Sequence, residues 1–134
     1  MGEIKTAECG IYFNVEKNSS YSSNQKVILY DVEWLNIGGA MNLATGVFTA
    51  PVNGIYQFTV FISSSTQTFL RVNKEKFATS YSSIHEHNIP IIAIIKLEKN
   101  DQVDTWLDSG AAILDNGHYH TQFSGILLNE DVSP

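Results

Sequence analysis

At 134 residues the chain is long enough to bury one core and too short for two, so a separate catalytic domain is excluded. Its net charge is −6, with 8 Lys and Arg against 14 Asp and Glu, which argues against nucleic acid or an anionic membrane surface as partner, since both select a basic patch. Charged residues make up only 16% of the chain and the turns are rich in Ser, Asn and Gly, the balance of an all-β extracellular module.

In chain order, residues 1–8 are expected to be a flexible N-terminal segment, 9–130 the folded domain and 131–134 a tail. Met1 to Lys5 lack a basic region followed by an apolar one, so no signal peptide is expected in this sequence. Cys9 is the only cysteine, which rules out an intramolecular disulfide and leaves a free thiol or a bridge between copies. Ile11 to Glu16 alternate as a strand. Asn18 to Gln25 form a polar loop in which Asn18-Ser19-Ser20 fits the glycosylation acceptor pattern. Lys26 to Leu35 are expected to be one strand and Met41 to Ala44 a short one.

From Thr45 to Phe58 the sequence reads as strand, turn, strand. Pro51 cannot donate to a ladder, and Gly54 is expected to adopt backbone angles that a side chain would forbid. Tyr56, Phe58, Val60 and Ile62 then share one strand face, opposite Gln57 and Thr59. Phe69 to Asn73 give another strand, Lys74 to Asn88 a less regular region, and Ile89 to Leu97, Val103 to Leu107 and Tyr119 to Leu128 three more. The longest apolar run, Ile91 to Ile95, ends at Lys96 and falls far short of the ~20 residues that cross a bilayer, so no membrane insertion is expected. Short strands with turn signals every ~8–12 residues point to a sandwich or barrel. No helical spacing, internal repeat or Gly-x-y run is present.

Candidate chemistry is sparse. His118 and His120 stand two apart, so on a strand both imidazoles project from one face, with Asp115 nearby as a third possible metal ligand; His85 and His87 repeat the spacing around Glu86. Two ligands make a weak site, and surface or interface histidines are the economical reading. Trp34 and Trp106 sit beside Leu35 and Leu107 in apolar strands and are expected to pack inward rather than to stack on a sugar. No nucleophile elbow, paired-carboxylate setting or phosphate-cradling glycine loop occurs, so an enzyme is not expected and no cofactor is required. Phe61 lies opposite Tyr56 and Phe58, and Ile92 and Ile94 oppose Ile91, Ala93 and Ile95. Strands apolar on both faces are covered on both faces, so some partner is expected over Phe61, Ile92 and Ile94.

Gly46-Val47-Phe48, Pro51 and Gly54-Ile55-Tyr56-Gln57-Phe58 together resemble the globular-head domain of complement C1q. Further pieces follow the same family order: Asn36-Ile37-Gly38 is similar to its strand-ending turn, and Leu70-Arg71-Val72-Asn73 to its mid-domain strand. Leu97 to Val103, with Asp101, is similar to its Leu-x-x-Gly-Asp-x-Val hairpin, and Phe123-Ser124-Gly125 to its closing Phe-x-Gly strand. Asn100 stands where the family has Gly, and Asn also tolerates the left-handed conformation. The resemblance, which extends to invertebrate C1q-domain-containing proteins without a collagen stalk, implies a two-sheet jelly roll of the C1q/TNF-like kind that assembles as a homotrimer.

It also implies a secreted, non-catalytic recognition module whose end loops bind a glycan or a protein multivalently, in the manner of innate-immune pattern recognition. A tumour-necrosis-factor-like signalling or structural trimer that binds a protein receptor is the second reading. Several relatives bind calcium through a loop equivalent to Ser80 to Asn88. Here that loop offers Glu86 and Asn88 but none of the usual aspartates, and calcium takes six to eight oxygens, so the departure argues against the ion.

Overall fold

The computed structural model describes residues 10–17, 26–61, 68–80, 90–107 and 121–131. Where apolar and polar residues alternate the backbone is extended, giving β1 (Tyr12–Lys17), β2 (Lys26–Val27), β3 (Val32–Ile37), β4 (Met41–Asn42), β5 (Val47–Thr49), β6 (Gly54–Phe61), β7 (Thr68–Val72), β8 (Glu75–Ser80), β9 (Ile91–Leu97), β10 (Gln102–Leu107) and β11 (Thr121–Glu130). They form two antiparallel sheets, one in the order β3-β1-β11-β6-β9 and the other β4-β5-β10-β7-β8, with β2 paired to β10 alongside β5. The fold is the expected all-β two-sheet sandwich.

The strict alternation in β6 and β9 decides which residues enter the core. Tyr56, Phe58 and Val60 are fully buried while Ile55 and Phe61 are exposed, and Ile91, Ala93, Ile95 and Leu97 alternate with exposed Ile92, Ile94 and Lys96. Between the sheets lies an aromatic cluster: Phe13 meets Phe123 edge-on at 4.9 Å between ring centroids and stacks on Phe48 at 5.3 Å, and Phe48 meets Phe58 edge-on, also at 5.3 Å. Such pairs contribute about 0.5–1.5 kcal/mol each beyond their buried area. Gly125 makes room for them, since a Cβ there would come within 2.6 Å of the Phe13 ring and 2.8 Å of the Phe58 ring.

Several expectations change. Lys26 to Leu35 is not one strand: it pairs with β10 at Lys26 and Val27, crosses the sandwich with Ile28 and Tyr30 buried, and joins the other sheet only at Val32. Lys74 to Asn88 begins with the regular strand β8, whose alternation is broken by a bulge opposite Leu70 and Arg71. Gly54 does not have a positive φ; glycine is required because a Cβ would lie 2.6 Å from the Asn129 carbonyl and 2.7 Å from Leu127 Cδ1.

The turns that join the sheets are tied to one another. Leu97 to Val103 is not a hairpin but a corner between sheets, as is Ala50 to Asn53. The two corners lock together: the Ala50 amide donates to the Asp101 carbonyl, the Asn100 amide to the Ala50 carbonyl and the Lys99 amide to Asn53 Oδ1 at 2.7 Å. Asn100 holds φ +77, as its turn demands. Asn73 closes the β7–β8 hairpin beside them, donating to Asp101 Oδ1 and accepting from the Gln102 amide. The Asp131 amide donates to the Asn53 carbonyl, and the Leu127 amide to that of Ile11, so both ends of the described chain lie at or near this tied end.

The opposite end has another character. Lys17 pairs with Thr121, Phe61 with Gln122, Val60 with Ile91, and Leu107 with both Thr68 and Lys26, while Thr68 pairs with Ser80. Four connections, 18–25, 62–67, 81–89 and 108–120, therefore leave from that same end.

Candidate functional site

The outer surface of the five-stranded sheet is built by register. Across all five strands Ile37, Tyr12, Ile126, Gln57 and Ile94 stand side by side in one row, and Leu35, Asn14, Ser124, Thr59 and Ile92 in the next. A third row runs Val32, Glu16, Gln122, Phe61. Paired residues project to the same side of a sheet, so each row begins and ends in an apolar side chain, with polar groups between in the second and third rows and Tyr12, Ile126 and Gln57 between in the first. Ile92 and Ile94 are 63% and 62% exposed and Phe61 41%. Leu35, Ile37, Ile55, Ile126 and Leu128 also expose large parts of their side chains.

The sequence signal for this face was the double-sided pattern at Phe61, Ile92 and Ile94. Ile126 and Leu128 carry the same pattern against Leu127 in the closing strand, and Tyr12 of β1 pairs with Ile126 on this face. Asn14 lies in the middle of the surface, and its side-chain oxygen is buried with no hydrogen-bond partner among the described residues.

Trp34 does not pack inward. It sits at a bulge in edge strand β3, where the pairing to β1 slips between Asn14 and Val15, and it is 62% exposed. The extra residue of a bulge loses its place in the alternation, which is why proximity to Leu35 misled. Below it, Asn36 ties the end of β3 to β4, donating to the Met41 carbonyl at 2.7 Å and to Glu33 Oε1 at 2.9 Å.

The outer surface of the second sheet is organised differently. Arg71 and Asp104 are paired across β7 and β10, with Arg71 Nε donating to Asp104 Oδ1 at 2.7 Å and Nη2 to Oδ2 at 2.8 Å. The same guanidinium lies 4.2 Å from the centre of the Trp106 ring, and Lys76 Nζ lies 4.2 Å from that of Phe69. Trp106 is thus half-buried on an outer face rather than in the core. The Arg71 and Lys76 cations lie over the Trp106 and Phe69 rings on this side, while Phe77 of β8 is exposed.

Beneath β10 the Tyr30 hydroxyl shares a 2.7 Å hydrogen bond with Thr105. Burial pushes the Tyr30 phenol well above the usual tyrosine range, opposed by the Thr105 bond and reinforced by the Asp104 charge. Burial also raises Tyr56, opposed by its bond to the Val52 carbonyl.

The family-pattern residues are placed as scaffold. Phe48, Tyr56, Phe58, Val103 and Phe123 are in the core, and Asn36, Gly38, Pro51, Gly54, Asn73 and Asp101 shape the turns. Gly46, at φ +73, lies against the Ile28 carbonyl where a Cβ would collide. Cys9, Asn18, His85, Glu86, His87, Asp115, His118 and His120 lie outside the described residues. Among the described residues no three His, Cys, Asp or Glu side chains are grouped to hold a metal. A pocket of about 230 Å³ at the tied end, lined by Gly54, Ile55, Lys96, Asn129, Glu130 and Asp131, is below the ~300–1,000 Å³ of ordinary ligand clefts.

Known proteins share this architecture and part of the sequence. A family model described as C1q domain matches residues 12–128. The chain is 27% identical over 137 aligned positions to human complement C1q tumor necrosis factor-related protein 3, covering 92% of the chain and 53% of the relative, and 24% identical to mouse complement C1q tumor necrosis factor-related protein 1, covering 91% and 48%. It thus spans about half the length of the curated relatives it matches. Among solved structures, the globular domain of zebrafish complement 1qA superposes with a TM-score of 0.67 at 18% identity, over 90% of this chain and 99% of that one. Bushbaby GITRL superposes at 0.66 and 16% identity, over 93% and 99%. At these identities the superpositions speak to fold alone.

Proposed function

Because the chain belongs to the C1q domain family, we propose that it is a secreted, non-catalytic recognition module that works as a homotrimer and binds a glycan or protein ligand multivalently. The observation that carries the reading is the five-stranded sheet's outer surface, where Phe61, Ile92 and Ile94 stand exposed among Tyr12, Leu35, Ile37 and Ile126. Its inner surface is already filled by the core, so a second layer of protein is the physical means of covering the outer one. The trimer implied by the family resemblance supplies that layer from identical copies. Ligand binding then falls to the end from which the four long polar connections leave. Three identical weak sites in fixed geometry raise avidity by about 10²–10⁴ without any new contact.

The test is the solution mass followed by a glycan array screened with and without calcium. The expected outcome is a single three-chain species that retains specific glycans with an apparent affinity lost on dilution to monomers. A stable monomer at high concentration would refute the assembly. A trimer that ignores every glycan and instead captures a cell-surface protein receptor would support the signalling alternative.

A further inference from the structure

Trp34 is the largest exposed apolar side chain on the molecule's described surface, and neither the core nor the cation-covered sheet uses it. It stands on the free edge of β3, where the bulge places it between the rows of Leu35 and Val32. The opposite side of the same sheet carries Ile94, Ile92 and Phe61 in the rows that Ile37, Leu35 and Val32 begin. A three-fold axis running roughly along the strands preserves height, so it brings the β3 edge of one copy against the β6–β9 side of the next with each row meeting itself. Ile37 then faces Ile94, Leu35 faces Ile92 and Val32 faces Phe61, apolar against apolar at every level. The polar groups Gln57, Thr59, Ser124 and Asn14 fall between these flanks.

We propose that Trp34 is the anchor of this head-to-tail contact, seated between Ile92 and Phe61 of a second copy of the chain. The inference rests on the trimeric reading above and adds which edge meets which side and through which residue. A second copy fits as the occupant because the two apolar flanks are complementary in height and lie on opposite edges of one molecule. The contact they make is of the ring-closing, heterologous kind. An exposed indole at the centre of such a contact is the side-chain type that most often dominates binding energy.

Two variants decide it. In Trp106→Phe, where Trp34 is the sole indole, assembly on raising concentration is expected to move the emission to shorter wavelength and reduce quenching by acrylamide. In Trp34→Ala, made in the otherwise unchanged chain, the trimer is expected to dissociate at a concentration at least about 30-fold higher, with the fold intact by circular dichroism because the residue is exposed in the single chain. A trimer whose Trp34 emission stays that of a solvated indole, or whose dissociation is unmoved by Trp34→Ala, overturns the anchor while leaving the trimer standing. A wild-type chain that never leaves the monomer overturns the trimeric reading itself. If Trp106→Phe fails to fold, the dissociation of Trp34→Ala by itself separates these outcomes.

Discussion

Lys74 occupies a backbone position that its side chain disfavours. The β7–β8 hairpin turns through Asn73 and Lys74 at φ +50 and +68, and Val72 faces Glu75 across it, so two consecutive left-handed residues close the turn. Asn tolerates that conformation, but Lys is strained there by about 1–2 kcal/mol. Lys74→Gly is expected to raise stability by about 0.5–1 kcal/mol after the added chain entropy of glycine, read as a higher urea midpoint at unchanged slope. Asn100 was legible in the sequence through its tolerance of positive φ, and Asn73 as the residue that ends a strand. Gly54 and Trp34 were not, because the close approach of Asn129 and the slip of a strand register are relations between distant segments that no local pattern encodes.

Among the elements, β7 and β10 are joined by more than their ladder. The Arg71–Asp104 pair is largely withdrawn from water, with side chains 14% and 8% exposed, and the guanidinium is further held against Trp106. Removing one partner strands the other, which costs about 3–5 kcal/mol for a buried pair. Asp104→Ala is therefore expected to lower stability by about 3 kcal/mol in a chemical denaturation series, and the double change Arg71→Met with Asp104→Leu to recover most of it. Strands with clean alternation, β6 and β9 above all, were legible from sequence to within two residues. β8 was not, because its bulge puts Phe77 out of phase. Nor was the break between β2 and β3, since a segment that crosses the sandwich buries Ile28 and Tyr30 as a strand does, without a partner ladder of its own.

For the molecule as a whole, the crossing at Tyr30 links one sheet to the other and sets an alkaline limit. The folded state holds the Tyr30 phenol, and to a lesser degree that of Tyr56, above its ordinary value of 10.0. A raised pKa favours the neutral phenol in the folded state, so its contribution is fully present below pH 10 and is lost as pH rises beyond it. Stability is expected to fall steeply above that pH. Tyr30→Phe is expected to lower stability by about 1 kcal/mol at neutral pH through the lost Thr105 bond and to flatten the alkaline fall, measured as melting temperature against pH. The order in which strands alternate between sheets was not readable from periodicity. It entered with the family resemblance, because which corner crosses the sandwich depends on pairings such as Ala50 with Asp101.

The gathering of Ile11 and Asp131 near the tied corners governs how the protein is to be handled and displayed. A tether or a fused stem joined at Ile11 or at Asp131 attaches at or near the pole away from the four polar connections. Chains held at either of these two positions will therefore all face the solution with the same pole, and a sensor surface made this way presents the proposed recognition end unobstructed.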